Sequence, residues 1–382
     1  MLPLKDVKVI EFCQALAGPF CGCLLADMGA DVIKVEPPQG DLMRSWPPLL
    51  EGYSQYFAAL NRNKRSVVLD LKDAAGCRAA RELALSADIV IENSRPGAMQ
   101  RLGLDYDTLA RVKPSLVYCS ISAYGQTGPR ATNGGFDMTL QAIGGVMSVT
   151  GEAGGRPVKC GIPIADSTAG LYAAYSVAAT LHKAKASGRG EHIDVSMLGG
   201  ILGISHLQTS ELFGLGRDPV PLGSAHPLNA PYGAFRCRDG YFAIAAGTNK
   251  LWEATCEVIA RKDLAADPRF ATPTLRAEHQ GPLRDLLEPE FEKFDAASLL
   301  DRLNEKGVPC APLNTYSEVI ADPQVKHMDW VEETQLPNGV KTRTVLSPQR
   351  LTGKRLGIYR QPPALGEHTA EVLAELSGGN PE

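Results

Sequence analysis

Several things are missing from this chain, and each absence removes a class of function. Its nine cysteines and seven histidines contain no Cys-x-x-Cys pair and no His-x-x-x-His spacing, so zinc or any other metal site is not expected. The cysteines are odd in number and mostly sit inside apolar strand or helix patterns. That is no disulfide framework, and reduced thiols in a cytoplasmic protein are the simple reading. No run approaches the roughly 18 apolar residues of a membrane span, and Met1-Leu-Pro-Leu-Lys-Asp6 is no signal peptide. A net charge of -4 excludes the basic surface that duplex nucleic acid requires. Also missing is the Gly-x-Gly-x-x-Gly turn of a dinucleotide site: after the first strand the chain reads Cys13-Gln-Ala-Leu-Ala-Gly-Pro19. A dehydrogenase is therefore a poor fit, even though Glu36 ends the second strand where a ribose-binding acid would stand.

What is present is the composition of a soluble globular protein, with 44% apolar and 21% charged residues. A chain of 382 residues should form about two to three domains. Apolar strand patterns over Val7–Phe12, Asp31–Glu36, Ser66–Leu71, Asp88–Glu92, Leu116–Ile121 and His192–Ser196 alternate with helical ones. Pro19 opens a helix that Gly29 stops, and others cover Ala74–Leu85 and Tyr106–Val112. This alternation predicts an α/β fold with a parallel sheet covered on both faces. A Pro- and Gly-rich stretch over 214–231 reads as linker and loop. The expected divisions are 1–213 (large α/β domain), 214–231, 232–320 (a smaller α+β domain) and 321–382 (a return into the large domain).

Asp166 is the residue that asks for a role. It stands alone in Gly161-Ile-Pro-Ile-Ala-Asp-Ser-Thr-Ala-Gly170. Ile162 and Ile164 read as the end of a buried strand broken by Pro163, and Ser167–Leu181 as a buried helix. Read locally, Asp166 is a helix N-cap before it is a catalyst.

The chain as a whole resembles the class III coenzyme A transferase family, which includes α-methylacyl-CoA racemases. The resemblance rests on motifs in order along nearly its full length. They include Leu16-Ala-Gly-Pro19, Ala30-Asp-Val-Ile-Lys-Val-Glu36, Gly40-Asp-Leu-Met-Arg-Ser-Trp46, Asn61-Arg-Asn-Lys-Arg-Ser66, Glu92-Asn-Ser-Arg-Pro-Gly97, Tyr124-Gly-Gln-Thr-Gly-Pro129, Ala165-Asp-Ser167 and His226-Pro-Leu-Asn-Ala-Pro-Tyr-Gly233. It implies that Asp166 is a nucleophile whose carboxylate attacks an acyl-CoA thioester. It further implies CoA contacts at Ala15, Leu69, Lys72, Asn93, Ser94, Arg95, Arg101 and Leu102, with acyl-CoA as substrate and no permanently bound cofactor. An interlocked homodimer is implied too, with a Rossmann-like sheet built from both chain ends. Trp46, Tyr56, Phe136, Asp137, Gly223 and His226 are the implied substrate-pocket residues, the last two on a mobile loop over the aspartate. Racemases of this family place a His where this chain has Phe136, which cannot shuttle a proton, so transfer is preferred over epimerisation. Asp137 is left as either an acceptor that orients its neighbours or a local turn cap. Gly144-Gly-Val-Met-Ser-Val-Thr-Gly-Glu152 looks closest to members using succinyl-CoA and C4–C6 dicarboxylic acids. Arg44 is the candidate for a distal carboxylate, with a structural ion pair as its other reading.

Overall fold

The structure, a computed structural model, describes residues 1–378, and these form two compact units. The first comprises Met1–Val146, Lys159–Arg217 and the chain from Pro323 onward; the second comprises Met147–Val158 and Asp218–Asp322. Met147–Val158 thus clusters with the second unit, whereas the sequence alone assigns it to the first.

The first unit is built on a six-stranded sheet. Its strands are β1 (Lys8–Phe12), β2 (Asp31–Glu36), β3 (Lys64–Val68), β4 (Ile89–Glu92), β5 (Val117–Ser122) and β6 (His192–Ser196). All pair in parallel, in the order β3-β2-β1-β4-β5-β6. This is the doubly wound order in which the sheet reverses direction between β1 and β4, leaving a crevice beyond the carboxyl ends of those two strands. Alternate residues feed two cores. Val9, Val32, Ile91, Cys119 and Ile121 face α1 (Ala17–Asp27) and the helix Ile164–Ser187. Ile10, Ile33, Val67, Val90 and Tyr118 face α2 (Ala74–Ser86) and the helix Thr369–Leu376.

The edge strand β3 is closed by the last part of the chain. Ser66 N–H donates to His368 Nδ1 at 3.3 Å, His368 N–H to Ser66 O at 2.9 Å, and Val68 N–H to Thr369 Oγ1 at 3.0 Å. Arg65 adds ion pairs to Asp31, Glu371 and Glu375. An open row of strand amides, the usual liability of an edge, is therefore occupied.

Two strand lysines are fully buried in the sheet, where unpaired charge would be prohibitive. Lys34 and Lys64 are fully buried and share the carboxylate of Glu11 at 3.0 and 2.8 Å. The cluster fits under α1 because Gly22 has no side chain: a Cβ there would lie 1.9 Å from Glu11 Oε2. Gly22→Ala is expected to cost about 2–4 kcal/mol through overpacking and displaced buried charge, read as a lower urea midpoint at unchanged m.

The second unit carries a three-stranded antiparallel sheet of Tyr232–Cys237, Gly240–Ala245 and Cys310–Pro312. Phe235, Phe242, Trp252, Phe270 and Phe291 form its core. Arg276, fully buried, holds the unit's loops together. Its guanidinium donates to the carbonyls of Ala230, Gly247 and Phe270 and to Asn249 Oδ1, at 2.8–3.0 Å.

Candidate active site

Asp166 lies in the first turn of a 24-residue helix, α4 (Ile164–Ser187). Local patterning suggests a strand ending at Ile164 and a cap position for Asp166; both are corrected. Ile164 already begins the helix, Ile162 is exposed, and Asp166 is its third residue. Pro163, with its fixed φ of -75°, ends the extended segment and starts the helix. Nor is α4 buried all round. Ala165, Ala169, Ala173, Val177 and Leu181 form one inward stripe at four-residue spacing, whereas Leu171 and Tyr175 are exposed.

The helix cap comes from another element. Asp137, first residue of α3 (Asp137–Ile143), accepts from Ala165 N–H at 2.8 Å and from Asp166 N–H at 3.4 Å through one oxygen. Its other oxygen accepts from Gln141 Nε2 at 2.6 Å. Asp137 therefore satisfies the free amides at the start of α4 and orients Asp166 rather than capping its own turn. Phe136 precedes α3 and is 75% exposed, with no group that could carry a proton.

The Asp166 carboxyl is pushed up to about 7. Partial burial is the largest cause and the nearby Asp137 carboxylate the second; the Ala17 backbone N–H acts in the opposite sense. That amide can approach because α4 packs tightly on the start of α1. A Cβ on Gly170 would stand 2.8 Å from Ala17 O. A carboxylate tuned to neutral pH, half sheltered and beside a backbone donor, can act as a nucleophile or a base.

The predicted CoA contacts fall at the carboxyl ends of β1, β3 and β4. Ala15 sits in the turn after β1 with a φ of +61°, rare for a residue with a side chain. Asn93, after β4, spans the crevice: its Oδ1 accepts from Gln14 N–H at 3.0 Å and its Nδ2 donates to Gln14 O at 2.8 Å. Ser94 N–H donates to Glu92 at 2.7 Å. Arg95 lines a cavity of about 240 Å³ with Glu92, Tyr106, Ser120 and His192. Leu69 is buried, Leu102 is half-buried, and Lys72 and Arg101 are exposed cations. Trp46 and Tyr56 are exposed rings of the same unit and not core filler.

Arg44 does not await a ligand. Its Nε and Nη2 clasp both oxygens of Glu36 at 2.7 Å, Nη1 reaches Pro363 O at 3.2 Å, and its plane stacks on Phe57. Burial acts upward on Glu36, but this guanidinium holds its carboxyl below the usual range. The structural ion pair is therefore the role the geometry assigns to Arg44.

Gly223 and His226 belong to the second unit. Gly223, at φ +60°, donates to Gly151 O at 2.8 Å, and a Cβ there would meet Glu152. His226 Nδ1 accepts from Leu228 N–H at 3.1 Å, and its ring lies against Tyr232. Among the described residues no cluster of His, Cys, Asp and Glu is arranged to hold a metal, and no helix is long and apolar enough to cross a membrane.

Sequence reasoning missed Lys34, Asp41 and Ala17. A signal was available: a lysine inside a strand of a doubly covered sheet must have a buried partner.

Residues 4–369 match CoA-transferase family III. The chain is 39% identical to the succinate–glutarate CoA-transferase of Agrobacterium fabrum, over 98% of this chain and 96% of that protein. It is 35% identical to human succinyl-CoA:glutarate CoA-transferase, over 98% and 86% respectively. Among solved structures, a CaiB/BaiF family protein from Brucella suis superposes with a TM-score of 0.87 at 38% identity, covering 98% of this chain and 99% of that one.

Proposed function

The chain belongs to CoA-transferase family III, and from that premise we propose that it moves CoA from succinyl-CoA, or another dicarboxylyl-CoA, to a small dicarboxylic acid through Asp166. The observation that carries this reading is the placement of Asp166, a half-buried carboxyl in the first turn of α4 whose helix start is held by Asp137; its raised titration range agrees with it.

In the first step an Asp166 oxygen attacks the thioester carbonyl. The C–S bond breaks, giving an aspartyl–acyl anhydride and CoA thiolate. The thiolate then attacks the aspartyl carbonyl and expels the donor's carboxylate, leaving CoA on Asp166 as a thioester. An acceptor carboxylate attacks that thioester and the two steps run in reverse, so no water is consumed and the thioester's energy is conserved. The Ala17 N–H favours the ionised Asp166 carboxylate and is a candidate donor to the negative charge that builds during these attacks. The small apolar neighbours Ala165 and Ala169 offer no competing acid or base, and shelter from water protects the anhydride. Phe136 offers no proton to an α-carbon, which favours transfer over epimerisation.

CoA is expected along Ala15, Leu69, Lys72, Asn93–Arg95, Arg101 and Leu102, since the crevice between β1 and β4 is where a doubly wound sheet takes its ligand. Trp46, Tyr56, Phe136 and Asp137 are the proposed pocket residues of the first unit. We also propose an interlocked homodimer, for which exposed Tyr175 and Phe213 provide apolar surface, and a cytoplasmic location.

The test is succinyl-CoA as donor with a panel of acceptors from oxalate to adipate, followed by intact mass after each half-reaction. Exchange with C4–C6 dicarboxylates and a protein-bound CoA that hydroxylamine removes are expected. Solvent exchange of an α-proton with no acceptor present would instead establish a racemase.

The nucleophile must be ionised, so kcat/KM is expected to rise with pH and level off above about 7. Asp137→Asn removes the like charge and keeps an acceptor for Ala165 N–H, so that limb should move to lower pH by up to about one unit. A pH–rate profile of the variant checks the direction.

A further inference from the structure

Asp41 is fully buried and divides its carboxylate between two tasks. One oxygen accepts from Ala15 N–H at 3.1 Å and from Met43 N–H at 2.9 Å. The other pairs with Lys34 Nζ at 2.8 Å. Lys34 in turn donates to Cys13 O at 2.7 Å and to Glu11 at 3.0 Å. Glu11 passes the charge on to Lys64, whose Nζ reaches Pro19 O at 2.8 Å and Asn61 Oδ1 at 3.0 Å. Four alternating charges are thus paired in and beside the sheet, and among the backbone groups they grip are Cys13 O, Ala15 N–H and Pro19 O. Those groups bracket the turn that carries Ala17 and hold Ala15 at its positive φ.

An apolar cluster of equal volume would pack this space without the desolvation penalty of four ions. It would not fix three backbone groups of one turn. We propose that Lys34 and Asp41 are positioning residues for the transfer reaction: they lock the Cys13–Pro19 turn against the first turns of α4, which carry Asp166. The close approach of Gly170 to Ala17 O leaves that turn no second seat on α4. Two groups act on the carboxylate besides burial, the Asp137 carboxylate of α3 and this N–H, and no cation does so among the described residues. Loosening the turn therefore removes the one interaction that favours the ionised form.

This inference rests on the nucleophile reading of Asp166 for its meaning in catalysis, but not for its test. The Asp166 carboxyl is titrated directly, by carbon-13 labelling of aspartate with Asp166→Asn to assign the signal. Asp41→Asn keeps an acceptor for Ala15 N–H and loses the pair with Lys34. It is expected to raise the Asp166 midpoint by about one pH unit, a tenfold change in proton affinity, and to lower kcat/KM about tenfold at pH 6 with recovery at pH 9. Asp27→Asn, which disturbs the equally buried Arg62–Asp27–Ser347 group without touching the turn, should leave the midpoint in place. Ala15→Gly, which frees the turn while leaving every charge present, should shift it in the same direction and covers the case in which Asp41→Asn does not fold. An unchanged midpoint in a folded Asp41→Asn or Ala15→Gly protein overturns the proposal, as does an equal shift in Asp27→Asn. A shifted midpoint together with full exchange by Asp166→Asn would uphold the positioning and reject Asp166 as nucleophile.

Discussion

Asp166→Asn is expected to lose CoA exchange by at least about 10⁴-fold, the scale seen when a covalent nucleophile is removed, while the folded protein becomes harder to unfold at alkaline pH. The two effects share one cause. A carboxyl whose folded midpoint is raised to about 7 from the ordinary aspartate value is destabilising wherever the unfolded chain would already be ionised. Stability is then lost as pH rises from about 4 to about 7 and stays lost above that. Near three pH units at about 1.36 kcal/mol each give up to about 4 kcal/mol, and partial solvent access reduces this to roughly 2–3 kcal/mol. Urea unfolding of the two proteins should separate most above pH 7 and converge toward pH 4. A variant that lost activity with no gain in stability above pH 7 would mean that the charge of Asp166 is not held against an unfavourable setting.

Arg276→Met is expected to destabilise the second unit by about 3–5 kcal/mol, with exchange activity falling in proportion to the unfolded fraction. Its guanidinium satisfies three carbonyls and one side-chain oxygen with no solvent exposure. A thioether fills the volume but leaves four acceptors unpaired, each a desolvation penalty of about 1–3 kcal/mol partly relieved by water entry. Hydrogen exchange should show protection lost around Ala230, Gly247 and Phe270. If the melting curve of the whole chain moved by less than about 2 °C, the network would be worth far less than its geometry implies.

Periodicity made the sheet legible. Asp31–Glu36 and His192–Ser196 run over the predicted residues; the first is buried on both faces and reads as a nearly unbroken apolar run, and the second alternates apolar and polar residues like a strand covered on one face. The third strand began two residues earlier than predicted, at Lys64. A buried lysine and arginine opening a strand look polar until their partners, Glu11 and Asp31, are known. The start of α4 was misread for a related reason. Ile162 and Ile164 alternate like a strand, but Pro163 and the amide-accepting Asp137, distant in sequence, begin the helix there. Asp166 stood out through the family motif, whereas the buried charges behind the Ala15 turn are long-range pairs that local patterns do not reveal. Arg44 shows the converse limit: of the two readings the sequence left open for it, the pairing with Glu36 becomes visible only in the structure.

The closure of β3 by residues 366–369 also sets an order of events during synthesis. A ribosome delivers β1 to β6 long before it delivers His368 and Thr369. The amides of Ser66 and Val68 therefore wait uncapped, with the Arg65 guanidinium lacking two of its three carboxylates, until residues 366–375 have been made. A nascent chain stalled short of that point presents a sticky sheet margin to its neighbours on a polysome. Emergence of residues 366–369, rather than of the sheet itself, is the moment at which the β3 edge becomes safe from strand-to-strand association.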